Sequence, residues 1–360
     1  MSRFVFTGGY TQDTLMGDGS VLKARGAGIS TFVLEGETLT RRCVLEAPNP
    51  TYLVIHPSGR ALYAAHELTE YKGLPSAAVS AYAIGSDGAL TLISRQPTFG
   101  GNACHLSIGP GGRHLMASNY MGGSVAVFPI GEDLGVQSAS CFFQHYGHGA
   151  NPARQGEPHV HQAIPDRAFR HVLVSDLGTD EINVYGVDWD KGHLIPGALP
   201  LRAPDGSGPR QCVFNAAGDR LYALTEMGCT LCVYDYDAET GAAALLQTAS
   251  MLPEGYAGES SGACVRLHPN GRLLFASNRG HDSIAVFRVR EDGQLVSLGH
   301  VPTGGSIPRD FDLTPEGDLL IVGNQESDEM VVFAIDGDTG ALREVSRAAC
   351  ASVTAVAIRP

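Results

Sequence analysis

The chain has 360 residues, 43% of them hydrophobic and 18% charged, too apolar for a disordered segment and long enough for one large core or several small ones. Gly 45 and Pro 20 supply more punctuation than a helix bundle tolerates, which points to many tight turns. A formal net charge of −13 repels nucleic acid and anionic membrane surfaces, so neither is expected as a partner.

In chain order, Arg3-Phe4-Val5-Phe6-Thr7-Gly8-Gly9-Tyr10 is the first stretch with strand character. It has the pattern of a second strand without a first strand before it. Next comes a short alternating segment, Thr51-Tyr52-Leu53-Val54-Ile55-His56-Pro57, then the turn Ser58-Gly59-Arg60 and the apolar strand Ala61-Leu62-Tyr63-Ala64-Ala65. The same unit returns with segments ending at Pro110, Pro165, Ala216, Pro269, Pro315 and Pro360. A spacing of roughly 45–55 residues falls in the range of four-stranded propeller blades. Within a unit a second strand (His114-Leu115-Met116-Ala117-Ser118, Leu273-Leu274-Phe275-Ala276-Ser277) leads to a third that alternates strictly (Ser124-Val125-Ala126-Val127-Phe128, Ser283-Ile284-Ala285-Val286-Phe287), as hairpin-linked antiparallel strands do. A turn ahead of Gly88-Ala89-Leu90, Gly293-Gln294-Leu295 or Gly340-Ala341-Leu342 opens a fourth, outer strand.

The last segment, Ser352-Val353-Thr354-Ala355-Val356-Ala357-Ile358-Arg359-Pro360, has the first-strand pattern and stops before any second strand. Each end of the chain therefore supplies what the other lacks. The expected fold is all-β: one domain over residues 1–360, a seven-bladed propeller with four antiparallel strands per blade. Its last blade combines three strands from residues 3–45 with one from residues 352–360, which removes two open edges.

No apolar run approaches the ~18 residues of a membrane helix, and the N-terminal residues lack a signal-peptide pattern, so a cytoplasmic protein is expected. Cys 8 are scattered and read as reduced, mostly buried thiols. Cys229 and Cys232 lie in an apparent strand, where their i, i+3 spacing sends the side chains to opposite faces and argues against a zinc or redox pair.

In a propeller, residues just before each first strand and just after each second strand meet at one end of the central channel, the default site. The first set gives Asn49, Pro50, Asn102, His105, His159, His161, Pro209, Arg210, Pro308 and Arg309; the second gives Glu67, Asn119, Asp176, Glu226, Asn278, Arg279, Asn324 and Gln325. Polarity repeated at one level of every blade suits a substrate funnel. The asparagines Asn119, Asn278 and Asn324, with Asp176, are read as strand-end structure. Arg210, Arg279 and Arg309 need anionic partners to offset desolvation, either Glu226 or a ligand. His159 and His161 stand at i and i+2, on one side of a strand. They would permit a metal, but no third ligand, HExxH or usable CxxC is present, so no metal or other cofactor is expected. One imidazole is expected to be structural and the other to face substrate. The polar, Gly-rich insertion at 146–157 is expected to overhang the channel mouth.

Several of these segments together resemble the seven-bladed propeller lactonases, the group that holds bacterial propeller-type 6-phosphogluconolactonase and the fungal 3-carboxy-cis,cis-muconate lactonizing enzyme. They are Asn49 to Pro57, Arg154-Gln155 with Pro158-His159-Val160-His161, Asp176-Leu177-Gly178, Gly208-Pro209-Arg210, Thr225-Glu226, Ala276-Ser277-Asn278-Arg279-Gly280, Pro308-Arg309-Asp310-Phe311 and Gly323-Asn324-Gln325-Glu326-Ser327. The pattern departs at Asn215-Ala216 and at Thr225. The resemblance implies functional roles for His161 or His159, Arg210, Glu226 and Arg279. It does not fix the substrate, since the group holds both a hydrolase and a cycloisomerase; the expected reaction is hydrolysis of an anionic sugar lactone such as 6-phosphogluconolactone, with cycloisomerisation of a carboxymuconate as the alternative.

For hydrolysis, Glu226 is the expected base, with His159 or His161 as the alternative or as proton donor. Arg210 and Arg279 would hold the carbonyl oxygen or the substrate anion, with Arg154 and Arg309 as outer anion-binding groups. Gln325, Glu67 and His105 complete the expected substrate contacts. Neutral groups at the mouth (Asn102, Asn119, Asn278, Asn324, Gln325) favour a sugar. A noncatalytic interaction propeller is the rival from another class; it lacks a recurring Trp-Asp dipeptide here, Trp189 being the sole Trp.

Overall fold

Strand period two, applied to a sheet covered on both faces, decides where each apolar residue goes. In Ser124–Pro129, Val125 and Val127 pack toward one neighbouring sheet while Ala126 and Phe128 pack toward the other. The same division recurs around the molecule and produces one apolar layer between each adjacent pair of sheets. The computed structural model describes residues 2–15, 19–197 and 199–360. These form a seven-bladed, all-β propeller of antiparallel sheets; among the described residues the sole helical turn is a 3-10 segment at Pro110–Gly112.

From the channel outward, blade 1 is Pro50–Ile55, Ala61–His66, Ala78–Ile84 and Leu90–Pro97. Blades 2 to 6 begin at Ala103–Ile108, Val160–Pro165, Pro209–Phe214, Ser261–Leu267 and Pro308–Leu313. Blade 7 closes as the chain ends predicted: Val353–Ile358 is innermost and pairs with Arg3–Gly9, followed by Ile29–Glu35 and Thr38–Leu45. Two features were not foreseen. The outer strand of blade 3 is split into His193–Pro196 and Leu201–Arg202, and a small hairpin, Thr14–Leu15 with Val21–Leu22, projects between the first two strands of the N-terminal segment.

Every inner strand carries a bulge at the same place. The register skips Thr51, Cys104, His161, Arg210 and Arg309 in blades 1, 2, 3, 4 and 6, and Thr354 in blade 7; in blade 5 Ala263 and Cys264 share one partner. A bulge re-aims one side chain out of the alternation, and here it turns one residue per blade into the channel. Just ahead of the bulge the chain takes positive φ at Asn49, Asn102, Gly208, Ile307 and Ser352. At Gly208 the space is also restricted, since a Cβ would lie 2.7 Å from Met227 Cε.

The residue that leaves each second strand is held by its own N–H. Glu67 bonds the carbonyl of Asn49 (2.9 Å), Tyr120 that of Asn102 (2.9 Å), Leu177 that of His159 (3.0 Å), Glu226 that of Gly208 (2.8 Å) and Gln325 that of Ile307 (3.0 Å). Asn119, Asn278 and Asn324, one residue earlier, donate Nδ2 to the carbonyls of Thr98, Met251 and Thr303. They tie the second strand to the segment that leaves the outer strand of the preceding blade. Asp176 accepts the N–H groups of His159 and Gly178 (2.8 and 3.0 Å) and pairs with His145 at 2.8 Å.

The cysteines are unpaired thiols, with Cys43 exposed, Cys141 half-buried and the others buried. Cys229 is not in a strand with Cys232: it occupies a positive-φ turn position before Thr230–Tyr236.

Candidate active site

The bulge residues and the strand-exit residues form two tiers around one end of the channel. Between them lies a cavity lined by Glu67, Glu226, Arg154, Arg210, Arg279, Arg309, His161, Tyr120, Asn102, Cys104, Met121 and Leu15. Four guanidiniums face two carboxylates, a local positive excess in an acidic protein. Outward, the cavity shares Arg154, Arg279 and Arg309 with a vestibule bounded by Val21 and Leu22 of the hairpin, by Glu259 to Ser261, and by Gln325.

Glu226 is the hub. Its Oε1 accepts Arg154 at 2.8 Å, and its Oε2 accepts Arg210 at 3.1 Å and Arg279 at 2.9 Å. Burial opposes ionisation of Glu226, but the guanidiniums of Arg279, Arg210 and Arg154 outweigh it and hold the carboxyl well below the usual range. The arginines share this charge unequally. Arg279 is pulled down to about 10 by burial, with Arg210 and Arg309 adding to the effect. Arg154, nearer solvent, is raised because Glu226 and Tyr120 overcome its desolvation.

Blade 5 makes room for this cluster. Its bulge residue is the small Ala263, whose carbonyl accepts Arg210 Nη1, while the neighbouring Gly262 carbonyl accepts Arg279 Nη2 at 3.0 Å. Across the cavity, Glu67 takes the Tyr10 hydroxyl on both oxygens at 2.9 Å and lies 3.9 Å from Arg309, which stacks over Tyr10.

The bulge separates the two histidines that strict alternation would place side by side. His159 stacks on Tyr120 (4.5 Å, 11° between planes) and its Nδ1 lies 3.2 Å from the Tyr120 carbonyl. His161 meets the edge of the same ring and lines the cavity. Burial, reinforced by Arg210, depresses the His161 pKa well below the ordinary histidine value, so the ring is neutral at pH 7. Among the described residues, His161 Nδ1, Arg154 Nε, Arg279 Nε and Asn102 Oδ1 are buried without a hydrogen-bond partner.

Of the expected substrate contacts, one is corrected and one lies outside this cavity. His105 does not line the cavity: it follows the bulge at Cys104, so its ring turns between blades, stacks on Tyr52 at 4.2 Å and bonds Gln162 at 3.2 Å. Gln325 faces the outer vestibule, where its Oε1 accepts Arg309 at 3.4 Å. The insertion at 146–157 lies beside the mouth and delivers Arg154. Sequence reasoning missed Tyr10 and Tyr120, which occupy the strand-exit position held by Glu67, Glu226, Arg279 and Gln325 in other blades. Aligning the repeats on that single position would have found both. Among the described residues no group of three or more His, Cys, Asp or Glu side chains is arranged to hold a metal ion.

The family profile described as Lactonase, 7-bladed beta-propeller matches residues 4–358. The chain is 31% identical over 329 residues to a 6-phosphogluconolactonase of Bacillus subtilis, covering 90% of this chain and 92% of that one. It is 30% identical over 338 residues to a 6-phosphogluconolactonase of Formosa agariphila, with the same coverage. The solved structure of a periplasmic gluconolactonase from Pseudomonas aeruginosa superposes with a TM-score of 0.89 at 27% identity, covering 100% of this chain and 99% of that one. No described helix is long and apolar enough to cross a membrane. With the fold, the two-tier site and these relatives in agreement, the chain belongs to the seven-bladed β-propeller lactonase family.

Proposed function

We propose that this protein hydrolyses an anionic sugar lactone of the 6-phosphogluconolactone class. The observation that carries the reading is the cavity itself: four arginines against two glutamates, with guanidinium donors and a neutral imidazole nitrogen buried and unpartnered. Buried polar atoms left unsatisfied in a cleft call for a ligand, and the uncompensated positive charge suits a dianionic head group. Relatives named 6-phosphogluconolactonase and gluconolactonase support lactone chemistry. The carboxylates Glu67 and Glu226 would oppose the several carboxylates of a muconate, whereas sugar hydroxyls could donate to Glu67, so the cavity's charges favour hydrolysis of a sugar lactone over cycloisomerisation.

In this mechanism a water attacks the lactone carbonyl carbon. The C–O bond to water forms, and Arg210 and Arg279 stabilise the developing oxyanion. The bond to the ring oxygen then breaks, and that oxygen becomes a hydroxyl. The water's proton passes to His161 and on to the leaving oxygen. Glu226 is a poor proton acceptor with three guanidiniums on its two oxygens; we assign it the role of holding those arginines in place, and move the base to His161. An anion bound against Arg210 and Arg309 would offset the smaller, cationic part of what depresses the imidazole, burial being the larger.

A base acts deprotonated, so kcat/KM should be level above about pH 6.5 and fall as pH drops through the lowered His161 value. His161→Asn should lower kcat by roughly a hundredfold or more and abolish that acid limb. An unchanged pH profile in the variant would remove His161 from the role.

A further inference from the structure

The guanidinium cluster is assembled from parts distant in the chain: Arg154 from an irregular loop, and Arg210 from the start of an inner strand. One wholly buried amide joins these supports. Gln155, 0% exposed, donates Nε2 to the Leu177 carbonyl at 2.8 Å and to Asp180 Oδ1 at 2.7 Å, while its Oε1 accepts the Asn151 N–H at 2.8 Å. Its main chain closes the same loop, donating to the Asn151 carbonyl (2.7 Å) and accepting from Gly149 (3.0 Å). Gly149 packs so closely that a Cβ there would lie 2.5 Å from Gln155 Cδ.

Asp180 is 3% exposed and sits at positive φ. Besides Gln155, it accepts the N–H of Gly208 on Oδ1 (2.8 Å) and of Gly206 on Oδ2 (2.7 Å). Gly208 is the positive-φ residue immediately before Pro209 and Arg210. The Gln155 and Asp180 side chains therefore connect the loop that carries Arg154, the strand exit of blade 3 and the segment that launches Arg210. Neither of the two lines the cavity.

We infer that Gln155 and Asp180 are positioning residues that set the preference for an anionic substrate by fixing Arg154 relative to Arg210 and Glu226. This rests on the proposed reading of the cavity as a site for an anionic lactone. A residue that acts through another loses its effect when the other is removed, which a double-mutant cycle measures.

Gln155→Met keeps length and bulk but deletes three hydrogen bonds. In the full-length protein it should lower kcat/KM for 6-phosphogluconolactone at least tenfold, and change that for unphosphorylated gluconolactone less than threefold. In an Arg154→Ala background it should change neither by more than threefold. Equal losses on both lactones, or an undiminished loss without Arg154, would overturn the inference in favour of a general packing role. Should Gln155→Met fail to fold, Asp180→Asn, which replaces one acceptor oxygen by a donor, should give the same selective loss.

The proposed reaction and this inference fail separately. If the wild-type protein hydrolyses neither lactone, the reaction is wrong. The clasp is then read by titrating inorganic phosphate in a calorimeter: Gln155→Met should weaken phosphate binding about tenfold only where Arg154 is present, and equal affinity in all four proteins would refute it.

Discussion

Replacing Glu226 by Gln preserves shape and removes the one charge shared by three arginines, Arg210 buried and Arg154 and Arg279 partly so. At an effective dielectric near 20, a guanidinium and a carboxylate with charge centres about 4 Å apart attract by ~4 kcal/mol, so the three contacts amount to roughly 12 kcal/mol gross. Repulsion among the arginines and the desolvation of four ions cancel most of it, and removing one partner of such a buried cluster leaves a net cost of about 3–5 kcal/mol. With an unfolding entropy of about 2.1 cal/mol/K per residue over 360 residues, the expected fall in Tm is roughly 4–7 °C. The catalytic consequence should be a loss of about a hundredfold in kcat, because the oxyanion donors lose their common anchor. Binding should move the other way. One negative charge fewer beside the substrate should tighten inorganic phosphate about tenfold, and the bound anion should restore part of the lost stability. Thermal denaturation with and without phosphate, together with initial rates, tests all three effects. Near-native kcat with unchanged Tm would refute the hub reasoning, and so would weaker phosphate binding.

Further consequences follow from other parts of the ring. Ala263→Leu would drive a side chain into the space that Arg210 and Arg279 occupy; overpacking should cost about 1–3 kcal/mol and reduce kcat/KM by about a hundredfold or more, while Ala263→Ser should stay close to wild type, as steady-state kinetics and denaturant melts would reveal. Stability should also depend on the buried His66, which contacts the Pro48 carbonyl at 2.6 Å and Ser80 at 2.7 Å. Burial lowers its pKa from 6.5 to about 4, so the unfolded chain binds this proton more readily than the folded one. The contribution is full above pH 6.5 and is lost as pH falls from about 6.5 to 4, in all about 3 kcal/mol. His105 and His161, also depressed chiefly by burial, add in the same direction. His66→Asn should flatten the stability profile over that window, and an equally steep profile would show that His66 does not contribute.

The propeller and its closure were legible because both depend on repetition. A strand, a turn and a strand returning at near-constant spacing specify the blade, and the incomplete units at residues 3–10 and 352–360 specify how the ring shuts. The site was legible only to the level of its tiers. Arg210, Glu226, Arg279, Arg309, His161 and Glu67 do meet, because propeller topology brings strand starts and strand exits to one end whatever the side chains are, and Arg154 joins them from the loop at 146–157. What period-two reasoning could not supply was the bulge. One extra residue in each inner strand reverses the facing of everything after it, which sends Cys104 rather than His105 into the channel and divides His159 from His161. Nor does an Ala look like a functional residue, although Ala263 contributes by leaving space. The clasp at Gln155 was equally hidden: it joins Asn151 of its own loop to Leu177 and Asp180 of the turn after the second strand of blade 3, and hydrogen bonds between loops leave no periodic trace.

Parallel rate measurements on the purified wild-type protein with 6-phosphogluconolactone, unphosphorylated gluconolactone and carboxymuconate test the central claim most directly. A cavity with four arginines, two glutamates and a neutral histidine should hydrolyse the phosphorylated lactone with the highest kcat/KM, the unphosphorylated one at least tenfold less efficiently, and leave carboxymuconate unchanged. Turnover of carboxymuconate with neither lactone hydrolysed would contradict the account outright, and equal efficiency on the two lactones would contradict its assignment of the arginines to an anionic head group.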